Sequence, residues 1–169
     1  MKNICIGLFE GETLPESLAA FKNVKLDLEF GKITTIHTLN QLDCEKIVVV
    51  GLGDGKKNIK EAFSKVEADD YLVYVTENTA YAAGFGLVYG AYSYKETKVY
   101  DLESDGFKDE FEKGKTVARI VNHAREMSDM PANFLTPDHL VDEAKMVAEK
   151  YDMEIEVLAQ DDLEEIGAG

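Results

Sequence analysis

The sequence predicts an α/β fold with a mixed, mostly parallel sheet that is flanked by helices on both faces. Short apolar segments of strand length alternate along the chain with longer segments in which apolar residues recur at helical spacing. Residues 46–50 form an almost uninterrupted apolar run, which is typical of a strand covered on both faces. Two segments near the amino terminus have the pattern of an antiparallel pair, and we therefore expect a mixed sheet.

The amino-terminal part supplies that antiparallel pair. Residues 3–9 are a short apolar strand, and a short helix is predicted at 14–21. Residues 24–30 alternate between apolar and charged side chains, which predicts a half-buried strand. After a turn at Gly31-Lys32, residues 33–39 are rich in β-branched side chains and are predicted to be the hairpin partner.

The rest of the chain alternates between predicted strands and predicted helices. The further strands are expected at 46–50, 71–75, 99–102 and 153–158. The helices are expected at 59–66, 79–94, 107–127 and 137–151, and a last one starts within 161–166. The helix at 137–151 has an apolar stripe that we expect to dock on a neighbouring surface, formed by Leu140, Val141, Ala144, Val147, Ala148 and Tyr151.

Charge and hydropathy exclude several classes of partner. The chain has 169 residues, with 33 acidic and 18 basic side chains and a formal net charge of −15. Nucleic-acid binding needs a basic face, so neither nucleic acid nor an anionic membrane is an expected partner. No run approaches the ~18 apolar residues of a membrane span, and the amino terminus lacks a signal-peptide pattern. We therefore expect a cytoplasmic protein.

Glycines after the strand at 46–50 raise the question of a nucleotide loop, in the sequence Gly51-Leu52-Gly53-Asp54-Gly55. A dinucleotide fingerprint needs a glycine where Lys56 stands, and a phosphate loop needs Ser or Thr where Lys57 stands. A tight turn that leaves a buried strand is therefore favoured.

The helix predicted at 79–94 contains several small residues. Glycines inside a helix usually have a packing reason, so Gly84, Gly86 and Gly90 favour a close approach to a sheet or another helix over a cofactor loop. We interpret Lys95 as a cation at the helix end, which is favourable there.

The ionisable side chains do not form a recognisable site. The histidines lack metal-ligand spacing and no nucleophile motif occurs, so surface or cap positions are favoured for them. The acidic clusters are interpreted as helix-start charge and solvated surface, and the two cysteines as reduced core residues. The groups considered are His37, His123 and His139; Asp69-Asp70, Asp101-Glu103-Asp105 and Asp161-Asp162-Glu164-Glu165; and Cys5 and Cys44.

A tightly specified connector joins two predicted helices. Pro131 pushes Met130 out of the α region, so the first helix is predicted to stop there. Thr136 is a good N-cap and Pro137 a good first helical residue, so the second helix is predicted to start there. We therefore divide the chain into an amino-terminal domain at 1–130 and a linker helix with the beginning of a second domain at 131–169.

The same connector resembles the linker of the leucine aminopeptidase (cytosol aminopeptidase) family. The members of this family are dinuclear-metal exopeptidases. Asp129-Met130 stands where the family usually has Asn-Thr. The segment 48–53 and the small-residue helix up to Lys95 are similar to the family as well. The connector residues that fit its pattern are Arg125, Pro131, Ala132, Asn133, Leu135, Thr136 and Pro137.

The resemblance implies that the chain is the amino-terminal, macro-domain-like part of such an enzyme. In the family, a separate catalytic domain binds two divalent metals, zinc or manganese, and removes amino-terminal residues from peptides; the whole enzymes are hexamers. The family's metal-ligand stretches do not occur in these 169 residues, so no catalytic, cofactor-binding or metal-binding residue is carried over. We therefore expect an inactive, truncated form whose partner is its own catalytic domain.

Two other interpretations come from different functional classes. A stand-alone macro-like module would bind ADP-ribose or a related nucleotide, although the glycine turn has no recognisable phosphate cradle and the chain is strongly acidic. DNA binding is disfavoured by the net charge of −15.

Overall fold

The structure is a computed structural model that describes residues 2–94 and 100–168. The chain divides into two compact units, Met1–Arg125 and Glu126–Gly169, and each is described by itself. Within the described residues, no helix combines the length and the apolar character that a membrane crossing requires.

The first unit contains a five-stranded sheet with the order β2-β3-β1-β4-β5. Its central strand, β1, is parallel to β3 and β4, and β4 is parallel to β5. At one edge, β2 runs antiparallel to β3, with Ile36 opposite Ile47. The predicted mixed, mostly parallel sheet is thus confirmed. The strands are β1 (Asn3–Leu8), β2 (Ile33–His37), β3 (Lys46–Gly51), β4 (Tyr71–Tyr74) and β5 (Leu102–Ser104).

Helical segments cover both faces of this sheet. On one face, Phe63, Leu87 and Phe111 belong to three different helices and share a core with Val48 and Val73. The opposite face is covered by a 3-10 helix, Glu16–Phe21, and by adjoining loops. The first unit contains α1 (Ile59–Phe63), α2 (Ala80–Gly90) and the larger part of α3 (Lys108–Asp129). The second unit contains α4 (Pro137–Tyr151) and α5 (Gln160–Glu165).

The strand predicted at 24–30 is absent, and with it the predicted hairpin. This segment crosses the carboxyl end of β3 instead, where the Leu28 carbonyl accepts a hydrogen bond from the Gly53 amide at 3.0 Å. Leu26 and Leu28 pack against the core on the sheet face that the 3-10 helix covers. This packing explains the alternation of apolar residues without a strand. Strand β2 pairs with β3 instead. The predicted antiparallel pair therefore exists, but β3 takes the place of the segment 24–30.

Three other predicted elements differ from the structure. Residues 153–158 form no strand, and no β-strand is described within the second unit with which they could pair. The strand predicted at 99–102 is β5, shifted towards the carboxyl terminus, and Val99 lies outside the described residues. Helix α2 ends at Gly90, four residues before the predicted end, and Lys95 also lies outside the described residues.

Helix α4 begins and ends where the sequence predicts. The Thr136 hydroxyl oxygen accepts a hydrogen bond from the His139 amide at 3.3 Å, and Pro137 is the first helical residue. The apolar stripe of this fully described helix is largely uncovered: Ala148 is buried, whereas Val147 is 40% and Tyr151 63% exposed. The docking predicted for this stripe therefore stays a prediction.

Glycines allow α2 to approach its neighbours at backbone distance, as the sequence predicts. A Cβ atom built on Gly90 would lie 2.1 Å from the Ser64 carbonyl oxygen at the end of α1. On the other side of α2, a Cβ on Gly84 would lie 2.2 Å from the Phe111 carbonyl oxygen, and one on Gly114 the same 2.2 Å from that of Tyr81. The contact between α2 and α3 is therefore reciprocal, with no room for a methyl group on either helix.

Gly114→Ala is expected to destabilise the first unit by about 1–3 kcal/mol, the range for overpacking a tight interior. The new methyl group would meet the backbone of α2, which cannot move aside as a flexible side chain can. Urea denaturation would measure the change. Gly106→Ala is the matched control because nothing lies within 4 Å of its added Cβ. Equal stability of the two variants would show that α2 and α3 are not held at this distance.

A polar network joins the amino-terminal ends of the strands. Asn3 donates to the Asp69 carboxylate at 3.0 Å and accepts hydrogen bonds from the Glu45 and Lys46 amides. The Lys46 ammonium group lies 2.9 Å from the same carboxylate. The hydrogen bond from Lys46 is the main cause of a lowered pKa of Asp69.

This lowered pKa predicts a contribution to acid sensitivity. A carboxyl group with a folded pKa below its unfolded value stabilises the protein above the unfolded pKa of about 3.9, and the contribution disappears as the pH falls through the folded pKa. Asp69→Asn should therefore lower the free energy of unfolding at neutral pH more than in acid. Denaturation across a pH series, with the exposed Asp142→Asn as control, would measure this difference. A pH-independent difference would contradict the assignment.

Candidate functional site

A cleft lies at the carboxyl ends of β1 and β4. After β1 the chain turns towards β2 and β3, whereas after β4 it turns towards β5 on the other side of the sheet. The strand order therefore reverses between β1 and β4, and open α/β sheets bind ligands at such a point. The cleft has a volume of about 520 Å³. That volume is within the usual range of small-molecule sites, roughly 300–1,000 Å³.

Its lining combines an apolar floor with hydroxyl and carboxylate groups. The strands supply mostly apolar side chains, and the loops that follow them supply the polar groups. The lining residues are Ile6, Gly7, Leu8, Gly11, Glu12, Thr13, Pro15, Ser17, Tyr74, Val75, Thr76, Thr79 and Asp105.

The two carboxylates are held by backbone hydrogen bonds. Asp105 accepts from the Val75 amide at 2.9 Å, and its own amide donates to the Val73 carbonyl at 3.1 Å. Glu12 accepts from the Phe9 amide at 2.8 Å. Neither lysine, arginine nor histidine is among the described residues that line the cleft, so its lining is acidic and offers no cation to a phosphate group.

The connection from β4 to α2 is fixed by two threonines. The Thr76 amide donates to the Thr79 hydroxyl oxygen at 2.8 Å, and the two hydroxyl oxygens lie 3.1 Å apart. Thr79 is 3% exposed, and the Ala80 amide donates to the Thr76 carbonyl at 2.9 Å, where α2 begins. These bonds give this wall of the cleft a defined shape.

The glycine turn after β3 lies outside this cleft. The Gly51 amide donates to the Lys32 carbonyl at 2.8 Å, which continues the pairing of β3 with the strand beside it. Gly53 and Gly55 have positive φ angles of 64° and 79°. The favoured interpretation as a tight turn is therefore confirmed.

The three histidines, for which surface or cap positions were favoured, lie on three different elements. His37 is exposed on the edge strand β2, His123 is exposed on α3, and the His139 ring lies 3.8 Å from the Glu143 carboxylate on α4. In the described part of the chain, no three histidine, cysteine or acidic side chains converge as they would around a metal ion.

The cysteines are free and buried, and burial raises the pKa of the Cys5 thiol to about 12.

The acidic clusters serve local structure. Asp70 accepts a hydrogen bond from the Asp101 amide at 2.8 Å. Lys2 forms ion pairs with Asp101 at 2.9 Å and with Glu103 at 2.5 Å. In the second unit, Asp162 accepts from the Ala159 amide at 2.8 Å, next to the start of α5.

The cleft was not among the sites predicted from the sequence. Glu12, Thr76 and Asp105 each follow a predicted strand, which is the signal that could have located it. Because the carboxyl ends of parallel strands meet at one edge of a sheet, polar residues just after them converge in space. The strand order decides which of these ends are neighbours, and local sequence patterns do not give that order.

Asp105→Ala is expected to loosen the end of β4, because the Val75 amide loses its acceptor. The expected cost is about 1 kcal/mol, the usual worth of one hydrogen bond. Hydrogen exchange at the Val75 amide should become faster in this variant. Asp105→Asn should largely preserve protection because its amide oxygen still accepts. Unchanged exchange in Asp105→Ala would contradict the role of Asp105 at this strand end.

Comparison with curated proteins finds relatives that are named as aminopeptidases. A probable cytosol aminopeptidase of Aromatoleum aromaticum is 23% identical over 217 residues, covering 99% of this chain and 43% of that protein. A probable cytosol aminopeptidase of Exiguobacterium sibiricum is 37% identical over 95 residues, covering 52% of this chain and 20% of that protein. The chain thus spans less than half the length of these relatives. No family model matches it.

Solved structures with a similar fold include larger proteins. The bottromycin maturation enzyme BotP superimposes with a TM-score of 0.72 at 17% identity, over 98% of this chain and 41% of BotP. A second structure of BotP, in complex with Mn, has a TM-score of 0.66 at 17% identity, over 88% of this chain and 36% of BotP. The cytosol aminopeptidase of Coxiella burnetii superimposes with a TM-score of 0.67 at 17% identity, over 96% of this chain and 39% of that protein.

The fold defines a mixed α/β domain of the type found at the amino terminus of aminopeptidase structures. The chain is a homologue of the amino-terminal region of the cytosol aminopeptidases, and the predicted resemblance to the leucine aminopeptidase family is confirmed.

Proposed function

We propose that the chain is the non-catalytic amino-terminal domain of a leucine aminopeptidase-like metalloexopeptidase that removes amino-terminal residues from peptides. The main support is a relative named as an aminopeptidase that aligns over 99% of this chain while the match takes up 43% of that relative. The remaining length leaves room for a catalytic domain, which we propose as the direct partner of this chain. We place the parent enzyme in the cytoplasm and propose a homo-hexamer as its assembly.

The donor groups of the described residues do not form a dinuclear metal centre. Within the described residues, histidine, cysteine and acidic side chains do not converge in groups of three. The cleft carboxylates of Glu12 and Asp105 each already hold a backbone amide. We therefore assign the two divalent metals, zinc or manganese, to the proposed catalytic domain. What this chain contributes is a folded body joined to the linker helix α4.

The second candidate function is a stand-alone module that binds ADP-ribose or a related nucleotide. The observation in its favour is the cleft at the reversal of strand order, where α/β sheets take ligands. Its acidic lining opposes a diphosphate, because like charges without a compensating cation repel. Calorimetry with ADP-ribose separates the two functions, and we expect no saturable binding.

The isolated chain is expected to be catalytically silent. Leucine-p-nitroanilide with added manganese or zinc should give no turnover above the blank. As a positive arm, a chimera in which this chain replaces the matching region of the Aromatoleum aromaticum relative should show metal-dependent turnover. Turnover that stays with the isolated chain through successive purification steps would refute the non-catalytic assignment.

The isolated chain is also expected to be monomeric at low salt. Its net charge of −15 makes copies repel each other, and this repulsion acts over about 10 Å at 0.1 M salt. At higher salt the repulsion is screened, and exposed apolar side chains such as Leu140, Val147 and Tyr151 favour at most weak association. Sedimentation velocity across a salt series is the measurement. A salt-independent hexamer would place the assembly interface in this chain.

A further inference from the structure

We propose that the cleft between β1 and β4 is a binding site for small amphiphilic amines, which have an apolar body and one protonated amine. This inference goes beyond the proposed function and does not depend on it. It rests on the cavity itself, on the chemistry of its lining and on the way its polar groups are held.

The cleft has the size and apolar surface that such a molecule needs. A volume of about 520 Å³ admits a ligand the size of an amino-acid derivative. The apolar lining comes from Ile6 and Leu8 of β1, from Val75 directly after β4, and from Pro15 directly before the 3-10 helix. An apolar ligand body can displace water from these side chains, which favours binding.

The polar groups of the cleft select the charge of the ligand. Glu12 and Asp105 each use one carboxylate oxygen to accept a backbone amide, so the second oxygen of each remains an acceptor for a ligand. A protonated amine brings three donors and the opposite charge. The lining supplies no lysine, arginine or histidine within the described residues, so an anionic ligand would find no counter-charge.

The site is also held in shape before a ligand arrives. Asp105 is fixed at the end of β4 by two hydrogen bonds. Its carboxylate accepts from the Val75 amide, and its amide donates to the Val73 carbonyl. Thr76 and Thr79 bind each other where α2 begins. Preformed polar groups lose little conformational freedom on binding, which favours affinity for a small ligand. The net charge of −15 adds a field that attracts cations to the whole molecule.

The first test is an NMR titration of the chain with L-leucinamide at about pH 6.5, where its α-amine, with a pKa near 8, is protonated. The matched control ligand is 4-methylpentanamide, which has the same body without the amine. At about 0.15 M salt, where charges far from the site are screened, saturable shifts should appear at the amides of Val75, Thr76 and Asp105. The neutral amide should bind at least about twofold more weakly. Equal binding of both ligands, or shifts outside the cleft, would overturn the proposal.

Variants then separate a specific site from general attraction to an acidic protein. Glu12→Gln and Asp105→Asn keep the acceptor for the backbone amide but remove the charge, so each should weaken leucinamide binding about two- to fivefold. Glu16→Gln removes one charge nearby, outside the cleft lining, and should leave the Kd unchanged. The same weakening in all three variants would refute the site, as would ADP-ribose binding more tightly than leucinamide. Circular dichroism and the amide shifts of residues outside the cleft confirm that each variant is folded.

Discussion

The packing of α2 at backbone distance is the constraint on which the rest of the first unit depends. Gly90 contacts the end of α1, while Gly84 and Gly114 bring α2 and α3 together. Because the helix cannot slide without a clash, its first residue is fixed relative to β4. The Thr76–Thr79 pair and the wall of the cleft follow from that position. The shape of the candidate site therefore depends on glycines that do not line it.

The other end of α2 is fixed by Arg125, one of the residues through which the connector resembles the aminopeptidase family. Its guanidinium group donates to the Tyr89 carbonyl at 3.1 Å and to the Asn122 side-chain oxygen at 2.9 Å. The same group lies 4.3 and 4.2 Å from the ring centroids of Tyr89 and Tyr92. A cation is favourable at the carbonyl end of a helix, and a planar guanidinium group stacks on aromatic rings as lysine does not. This arginine thus completes α2 just before the chain enters its second unit.

The sequence predicted those features that local chemistry determines. Helix α4 has its predicted limits because Thr136, Pro137 and the stripe all lie within the helix or beside it. The alternating segments 24–30 and 153–158 were predicted wrongly, because a strand exists only when another strand offers it backbone partners. The mostly parallel sheet could be predicted from the alternation of strands and helices, and its mixed character from the antiparallel pair expected near the amino terminus, whereas the strand order could not be predicted. The cleft was missed for the same reason, since Glu12 and Asp105 become neighbours of one cavity only through that order.

The second unit has helices that local sequence determines, but many of its apolar side chains are exposed. Helix α4 forms with a capped start, yet Leu140, Tyr151, Met153 and Ile155 are 45–63% exposed. Apolar side chains of this size are usually covered, and a contiguous uncovered group of them is typical of an interaction surface. The relatives are more than twice as long as the part that this chain matches. The uncovered side chains and the unmatched length are both accounted for if the connector leads into a larger body, as the proposed function requires.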